Sequence, residues 1–466
     1  MSTHSGGTFW TLDRVAAALG PLAVAAPRGS APLAGVSTDT RTLRPGELFV
    51  VLSGERFDAH DFLRDAVARG AAALVVSRPE RAAGLGVPVF AVDDTLVALG
   101  ALGRYRRRAW SGPLVCVAGS NGKTTTKDLI AGALGARLVT HATSGNLNNL
   151  VGAPLTLLAI PDPAEVAVVE VGTNAPGEVA RLRAMCEPDV AVITSVGEEH
   201  LEGLGSLDAV LREEVSVADG VATAIVPASQ PDVVDAARRH ARTVIAAGLD
   251  AGDVRAERWG MGGDGLGWIE YDGATVRPPA RGAHNLRNTM IALAVARVCG
   301  VSASDAARGI AAARLSAMRS AWEPHGRALV INDAYNANPA SMRAALELLA
   351  GADGGSARQR VAILGTMREL GAAAPRLHAE MAAAALAQRI DLVAGVGEMA
   401  TALREAPGAS ADRVVTAPDV ADLWSALEPR LAADAIILLK ASRGVRLERL
   451  LPLLSAWADR TCSTTS

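Results

Sequence analysis

Residues 116–126 read CVAGSNGKTTT, and this stretch decides how the rest of the chain is interpreted. The segment before it, 113–118, is apolar and β-prone, and the segment after it, 124–134, carries apolar residues at helical spacing. A strand, a glycine-rich turn and a helix N-terminus form an anion site, because free amide N–H groups and the helix dipole point at the ligand. The stretch therefore predicts a phosphate-binding loop.

Two kinds of side chain in this loop suit a nucleoside triphosphate. Lys123 would place a point charge on the β- and γ-phosphates, and the hydroxyl of Thr124 or Thr125 would bind Mg²⁺. The loop is shorter than the pattern G-x-x-x-x-G-K-[ST], whose first glycine falls on Val117, so an ordinary strand–helix turn is the alternative. The predicted nucleotide contacts are Gly119, Ser120, Asn121, Gly122, Lys123, Thr124 and Thr125.

The composition indicates a soluble protein of several domains. A chain of 466 residues suggests about three domains of roughly 150 residues each. The net charge of −3 gives no reason to expect nucleic acid or an anionic membrane as a partner. The N-terminus lacks a basic-then-apolar signal, and no uncharged apolar run reaches about 18 residues. We expect a cytoplasmic monomer without membrane insertion, and we expect the basic run 104–108 to be a solvated helix end.

Short apolar strands alternate with helices along the chain, which predicts an α/β protein of three domains. Residues 1–108 form a smaller N-terminal α/β domain. Residues 109–317 form a central domain of the P-loop ATPase type with a mostly parallel sheet, in which the glycine-rich segment 255–271 is an antiparallel edge. Residues 318–466 form a C-terminal Rossmann-like domain with a parallel sheet.

Lysine is scarce in this chain, which makes the position of each lysine informative. Of the 46 basic residues only Lys123, Lys127 and Lys440 are lysines. Arginine cannot replace lysine where a compact, titratable amine is needed. A predicted strand ends in Lys440, Ser442 and Arg443, a set that suits capture of a carboxylate or a phosphate. Ordinary surface charges are the alternative.

Two polar residues follow apolar strands in the central domain. Glu170 ends the strand 166–171, and a carboxylate there needs a partner because an unpaired buried charge is costly. A metal that bridges the triphosphate is the natural partner, and an arginine is the alternative. His200 follows the strand 190–196. Because Mg²⁺ prefers oxygen ligands, chemistry alone leaves a structural histidine equally open.

Three further segments hold more side-chain donors and acceptors than packing requires. Residues 143–152 contain three closely spaced asparagines, and residues 284–288 open a helix whose polar side chains could cap it or line a nucleotide pocket. Residues 332–339 combine an acid, a phenol and two amides, which favours a binding loop over a capped turn. The candidates in these segments are Asn146, Asn148, Asn149, Asn285, Asp333, Tyr335, Asn336 and Asn338.

Together these segments resemble the Mur ligases, the ATP-dependent amide-forming enzymes of peptidoglycan synthesis. The segment 333–342, DAYNANPASM, resembles the branch of the family that adds D-alanyl-D-alanine (D-Ala-D-Ala) to a UDP-N-acetylmuramoyl-tripeptide (UDP-MurNAc-tripeptide). The other matching segments are 37–41 with 45–49, 119–125, 146–154, 170–172, 200–203, 284–285, 364–365 with 367–371, and 439–444.

The resemblance implies three domains that bind the UDP-sugar, ATP and the incoming dipeptide in chain order. It implies that the tripeptide carboxylate attacks the γ-phosphate of ATP and that the dipeptide amine then attacks the acyl phosphate. It also assigns roles by position. Ser37, Asp39 and Arg41 belong to the uridine-binding unit, Arg319 contacts the γ-phosphate, and Thr124, Glu170 and His200 surround the Mg²⁺ ions. The catalytic set that follows is Lys123, Glu170, His200, Glu214 and Arg319.

Two positions depart from the family pattern. Many Mur ligases carry a carbamylated lysine where this chain has Glu214, and an encoded carboxylate could supply the same negative charge near the metal. A solvated helix residue with no such role is the alternative. Thr366 stands where the family usually has aspartate, and the role of its loop is left open.

Two other functions compete with this interpretation. One is another enzyme of the superfamily, such as a folylpolyglutamate synthetase or a Mur ligase that adds a single amino acid, against which residues 335–339 argue. The other is a nucleotide-binding paralogue without ligase activity, which only the departures at Glu214 and Thr366 support. The third residue of the acceptor peptide, meso-diaminopimelate or L-lysine, stays open.

Overall fold

The structure is a computed structural model that describes residues 9–54, 57–352 and 358–463. It has the α/β architecture that the sequence predicts. No helix in the described ranges is long and apolar enough to cross a membrane.

The contacts of the chain divide it into two compact units. One unit comprises the described residues up to Cys116 together with Leu138–Gly172 and Glu178–Asp189. The other unit comprises Val117–Arg137, Thr173–Gly177 and the described residues from Val190 onward.

The first part of the chain forms a five-stranded sheet of order β2-β9-β8-β5-β4. Its strands are parallel except β2, which pairs with β9 in the antiparallel sense. The elements are β1 (Trp10–Thr11), α1 (Leu12–Leu19), β2 (Ala23–Ala25), β3 (Pro32–Leu33), β4 (Val36–Ser37), β5 (Leu48–Val50), β6 (Ser53–Gly54), β7 (Phe57–Asp58), α2 (Leu63–Ala68), β8 (Ala73–Val76), β9 (Val89–Val92) and α3 (Thr95–Ala109). This is the smaller α/β domain that the sequence predicts.

The expectation of a solvated helix end at residues 104–108 is wrong for two of the arginines. Arg106 is buried and donates to the carbonyl of Ile160 at 2.6 Å. Arg107 is buried and donates to the carbonyls of Cys186 and Trp110 and to the Asp189 carboxylate, at 2.9–3.0 Å. Both guanidinium groups are held by backbone carbonyls far along the chain, which helix periodicity cannot reveal.

The middle of the chain forms a seven-stranded sheet of order β11-β12-β10-β13-β14-β15-β16. Strands β10 and β12 are buried at every position, as expected where helices cover both faces of a parallel sheet. The elements are β10 (Leu114–Ala118), α4 (Lys123–Gly135), β11 (Thr140–Ala142), α5 (Gly152–Leu158), β12 (Val166–Glu170), α6 (Glu178–Cys186), β13 (Val190–Ile193), α7 (Leu201–Leu204), α8 (Leu207–Val215), β14 (Thr223–Pro227), α9 (Pro231–Ala237), β15 (Thr243–Gly248) and β16 (Val254–Arg255).

The segment 255–271 is antiparallel, as its alternating residues predict, but it is not an edge of this sheet. Its first residue, Arg255, ends the edge strand β16 of the seven-stranded sheet, whereas residues 258–271 belong to a separate three-stranded sheet in which β18 lies between β17 and β19. These elements and the helices that follow are β17 (Arg258–Met261), β18 (Gly267–Tyr271), β19 (Ala274–Val276), α10 (Ala283–Val298) and α11 (Ala303–Ala311).

The last part of the chain forms a six-stranded sheet of order β20-β21-β25-β22-β23-β24, parallel except for β20. Helices cover both faces, as in the predicted Rossmann-like domain. Because parallel strands end at one edge, Asp333 and Lys440 become neighbours in the register. The elements are β20 (Ala321–His325), β21 (Ala328–Asp333), α12 (Pro339–Gly351), β22 (Arg360–Leu364), α13 (Ala374–Ala387), β23 (Leu392–Val396), α14 (Glu398–Glu405), β24 (Val414–Ala417), α15 (Val420–Leu427), β25 (Ile436–Lys440) and α16 (Leu451–Ser463).

Candidate active site

The loop between β10 and α4 has a backbone shape that only glycine permits at two positions. Gly119 and Gly122 have φ values of 119° and 82°. A Cβ at Gly119 would collide with Thr194, and one at Gly122 would lie 2.8 Å from Nδ2 of Asn288. The loop therefore packs closely on its neighbours while its amides lead into the first turn of α4, as a phosphate-binding loop requires.

Side chains from the end of β13 hold this loop in place. The backbone N–H of Asn121 donates to Oγ of Ser195 at 3.0 Å, and its carbonyl accepts from Oγ1 of Thr194 at 2.6 Å. Ser120 exchanges hydrogen bonds with the backbone of Gly197 at 2.9 and 3.3 Å. The next two predicted nucleotide contacts, Thr124 and Thr125, are buried at the start of α4.

The Lys123 ammonium bonds to its own loop and to an acid. Its Nζ donates to the carbonyl oxygens of Gly119 and Ser120, the latter at 3.3 Å, and lies 3.5 Å from Oε1 of Glu199. Glu199 is itself buried. Lys123 therefore already lies in an electrostatic cluster with a carboxylate that the sequence analysis did not select.

His200 lies between two carboxylates. Its Nδ1 is 2.6 Å from Oε2 of Glu369, and its Nε2 is 3.7 Å from Oε1 of Glu199. Burial disfavours the imidazolium, but the Glu369 hydrogen bond and the Glu199 charge outweigh it and raise the pKa of His200. His200 and Glu369 both have left-handed backbone conformations, with φ of 52° and 64°. Such conformations are costly for these residue types and concentrate at functional sites.

Glu214 is fully buried, so the alternative of a solvated helix residue is wrong. Its Oε2 accepts the backbone N–H of Gly119 at 2.7 Å, directly beneath the phosphate loop. Its Oε1 is buried and has no hydrogen-bond partner within the described part of the chain. Burial raises the pKa of the Glu214 carboxyl to about 7; the Glu199 charge adds to the rise, and Lys123 opposes it.

Glu170 and the asparagine-rich segment lie in the other unit. The buried Glu170 accepts from Nδ2 of Asn148 at 2.9 Å, and its backbone N–H donates to Oγ1 of Thr143 at 2.9 Å. Asn149 lies in the turn before α5, and its Oδ1 accepts the N–H groups of Val151 and Gly152 at 3.1 and 2.9 Å. Asn146 is exposed. The predicted asparagine Asn148 therefore contacts Glu170 directly.

The first segment holds the predicted uridine-binding residues, also in that unit. Ser37 is buried, and its hydroxyl donates to the carbonyl of Asp39 at 3.2 Å. The exposed Arg41 forms an ion pair of 2.6 Å with Asp39. The hydrogen bond from Arg41 lowers the pKa of the Asp39 carboxyl to about 2.

Lys440 is buried, so the alternative of a surface charge is wrong for this residue. Its Nζ lies 2.7 Å from Oδ2 of Asp333 and donates to the carbonyl of Asn336 at 2.8 Å. The other oxygen of Asp333 accepts the backbone N–H of Ser320 at 3.1 Å. Lys440 and Asp333 thus fix the loop that follows β21.

Arg319 lies against this loop. Its guanidinium stacks on the ring of Tyr335, with Cζ 4.5 Å from the centroid. Its neighbours Met318 and Ser320 have left-handed φ values of 59° and 54°. The strained backbone therefore presents the arginine at the point where the chain enters the last sheet.

Asn338 connects the last sheet to the phosphate loop. Its Oδ1 caps α12 by accepting the N–H of Ser341 at 2.9 Å, which fixes the orientation of the amide. Its Nδ2 donates to Oδ1 of Asn121 at 2.8 Å and to Oε2 of Glu199 at 3.1 Å. This contact lies within a single compact unit.

The remaining candidates have mainly structural contacts. Nδ2 of Asn285 donates to the carbonyl of Arg281 at 2.7 Å, and its Oδ1 accepts from Asn288, the residue that borders Gly122. Ser442 accepts the N–H of Arg368 at 2.9 Å. The exposed Arg443 lies 2.9 Å from Glu448.

Three family models match the chain in order along its length. The Mur ligase family catalytic domain matches residues 32–107, the Mur ligase middle domain matches residues 117–296, and the Mur ligase glutamate ligase domain matches residues 314–443. A Bacillus subtilis protein named UDP-N-acetylmuramoyl-tripeptide–D-alanyl-D-alanine ligase is 35% identical over 430 residues, which cover 89% of this chain and 92% of that protein. The chain belongs to the Mur ligase family.

Other relatives support the same family and fold. The Escherichia coli protein of the same name is 34% identical to this Mur ligase, covering 91% of this chain and 94% of that protein. The crystal structure of MurF from Acinetobacter baumannii matches with a TM-score of 0.85 at 29% identity, over 96% and 99% of the two chains. MurF ligase from Thermotoga maritima in complex with ADP matches with a TM-score of 0.79 at 26% identity, over 92% and 98%. The predicted three-domain fold is confirmed.

The structure adds two carboxylates to this Mur ligase site that the sequence analysis missed. Glu199 could have been selected from the sequence, because it directly precedes His200 in the segment GEEH. Glu369 lies in the family-like segment 367–371, but only the tertiary fold brings it to His200. Thr366, the second departure from the family pattern, accepts the N–H of Glu398 through its hydroxyl at 3.1 Å and so supports the start of α14.

Proposed function

We propose that this Mur ligase is an ATP-dependent ligase that joins D-alanyl-D-alanine to UDP-MurNAc-tripeptide in the cytoplasmic synthesis of peptidoglycan precursors. The observation that carries the proposal is the hydrogen bond of 2.8 Å from Asn338 to Asn121. It brings the segment 333–342, which resembles the D-alanyl-D-alanine-adding branch, onto the phosphate loop. The Bacillus subtilis and Escherichia coli relatives are named for that reaction, and the Thermotoga maritima structure contains ADP.

The reaction has two displacement steps. A carboxylate oxygen of the tripeptide attacks the γ-phosphorus of ATP, the bond to the bridging oxygen breaks, and an acyl phosphate and ADP form. The amine of D-alanyl-D-alanine then attacks the acyl carbon, loses a proton and expels inorganic phosphate, which leaves an amide. Both steps move charge onto phosphate oxygens, so the protein contributes mainly positioning and charge neutralisation.

Two cations are proposed to neutralise this charge. Lys123 is the first residue of α4, so its ammonium could leave the loop carbonyls that it now contacts and bind the β- and γ-phosphates instead. Arg319 would contact the γ-phosphate from its position on Tyr335. Gly119 to Thr125 would hold the phosphates, and Asn285 and Asp333 would contribute to the rest of the nucleotide site.

The side chains proposed around the phosphates suit a Mg²⁺ ion that arrives bound to the triphosphate. Among the residues that the structure describes, no group of three or more His, Cys, Asp or Glu side chains is arranged to hold a metal by itself. Mg²⁺ typically needs only one or two protein oxygens beside phosphates and water. We propose that Thr124, Glu170 and His200 hold it, and that the free Oε1 of Glu214 supplies negative charge nearby. When bound, Mg²⁺ would neutralise and orient the phosphate oxygens.

His200 can act as a ligand only in its neutral form. The carboxylates of Glu369 and Glu199, which raise its pKa, therefore compete with a metal for the imidazole.

The substrate contacts are assigned by domain. We propose that residues 1–108 bind the UDP-sugar, residues 109–317 bind ATP and residues 318–466 bind the dipeptide. The side chains proposed to contact substrates are Ser37, Asp39, Arg41, Asn146, Asn148, Asn149, Tyr335, Asn336, Asn338, Lys440, Ser442 and Arg443.

Phosphate release tests the proposal directly. Purified protein with ATP, Mg²⁺, UDP-MurNAc-tripeptide and D-alanyl-D-alanine should release phosphate only when both substrates are present. Single amino acids in place of the dipeptide should give none. Absence of substrate-dependent release from a correctly folded protein would overturn the ligase proposal and favour a paralogue without ligase activity.

A further inference from the structure

Three polar groups from different parts of one compact unit surround the Glu199 carboxylate. Nζ of Lys123 lies 3.5 Å from Oε1, Nε2 of His200 lies 3.7 Å from Oε1, and Nδ2 of Asn338 donates to Oε2 at 3.1 Å. Glu199 is only 4% exposed, so water can do little to stabilise its charge. The carboxylate therefore depends on these three groups.

We propose that Glu199 is a positioning residue that couples nucleotide binding at the phosphate loop to the placement of the segment 333–342. The inference rests on the proposed nucleotide site. The β-phosphate of a bound nucleotide would draw the ammonium of Lys123 away from Glu199. The buried carboxylate then relies chiefly on Asn338 to offset its charge. The bond to Asn338 consequently strengthens and holds the start of α12 more firmly against the phosphate loop.

The geometry makes this coupling specific. The cap at Ser341 fixes the Asn338 amide so that Nδ2 points at Glu199 and Asn121. Motion of Asn338 therefore carries with it the first turn of α12, whose amides at Ser341 and Met342 bond to Asn338. The neighbouring Glu198 has no part in this arrangement, since it is half-exposed and lies 3.4 Å from Arg376.

Hydrogen exchange of the full-length protein with and without ADP and Mg²⁺ tests the inference. In the wild type, ADP should slow exchange at residues 341–344 by about tenfold, the effect of one hydrogen bond to a charged group. In Glu199→Gln, ADP should no longer slow exchange at residues 341–344, because the neutral amide does not attract the Lys123 ammonium as a carboxylate does. ADP itself should bind about three- to fivefold tighter, because Lys123 is no longer shared with an anion. Glu198→Gln is the matched control and should behave as the wild type.

Two more variants separate coupling from stability. Asn338→Ala should lose the exchange response while still binding ADP, and Glu199→Asp, which keeps the charge but shortens the reach, should lose it as well. An undiminished response in Glu199→Gln or in Glu199→Asp would overturn the inference. Failure of the wild type to bind ADP would instead overturn the proposed nucleotide site on which it rests.

Discussion

Replacing Glu214 with glutamine should make the protein more stable at alkaline pH. Burial raises the pKa of this carboxyl from 4.5 to about 7. The folded protein therefore retains a proton that the unfolded chain releases between pH 4.5 and 7, and the free energy of unfolding falls as the pH rises through that window. Glutamine resembles the protonated form, keeps an oxygen for the N–H of Gly119, and cannot ionise.

The size of the effect follows from the shift of the pKa. At about 1.4 kcal/mol per pH unit, ionised Glu214 costs the folded state about 3 kcal/mol at pH 8, about 1 kcal/mol at pH 5 and almost nothing at pH 4. For a domain of about 200 residues, Glu214→Gln should raise the Tm by roughly 6–12 °C at pH 8. The difference should be about a quarter of that at pH 5.

Thermal unfolding of the protein without nucleotide or metal, measured from pH 5 to 8, tests this reasoning. The matched control is Glu405→Gln, because Glu405 is an exposed glutamate near the end of α14. Its Tm difference from the wild type should stay near zero at every pH. A difference for Glu214→Gln that does not change with pH, or a loss of stability at pH 8, would refute the account of the buried carboxylate.

Three further predictions concern single residues. Ligase activity should fall sharply in Glu214→Gln and recover in Glu214→Lys only with bicarbonate, which could carbamylate the lysine; full activity in the glutamine variant would remove Glu214 from the mechanism. Lys440→Met should lower stability by about 3 kcal/mol, because Asp333, whose side chain is only 14% exposed, keeps its charge without its ammonium partner. A denaturation midpoint equal to that of the wild type would contradict this. Arg107→Ala should lower the free energy of unfolding by about 3 kcal/mol in chemical denaturation. The control Arg104→Ala removes an exposed ion pair with Glu187 and should lower it by less than about 1 kcal/mol. Equal losses in the two variants would argue against the burial of Arg107 as the cause.

Local chemistry made much of the fold predictable. Strands such as Val166–Glu170 and Ile436–Lys440 are apolar at every position before the final charged residue, because both faces of a parallel sheet are covered. The phosphate loop was predictable since its two glycines, next to a helix start, allow backbone conformations closed to other residues. Strand Ala321–His325 was missed because its side chains are only partly buried and give no clear alternation.

The placement of charged side chains required the structure. Lys440 and Asp333 are separate candidates in the sequence, yet their ion pair depends on strands β21 and β25 lying side by side. Arg107 looked like a solvated helix end, but it is held by carbonyls about 80 residues further along the chain. Helix periodicity describes only neighbours within a few turns, so it cannot report such partners.

The sequence by itself determined the α/β class, the phosphate loop and the resemblance to the Mur ligases, because these depend on residues close together in the chain. Only the tertiary structure decided that Glu214 is buried beneath Gly119, that Glu199 joins Lys123 to Asn338, and that His200 lies between two carboxylates. Whether a carboxylate is solvated, paired or isolated depends on what the fold brings within a few ångströms of it. That distance, unlike glycine conformation or strand hydrophobicity, is not a property of any local segment.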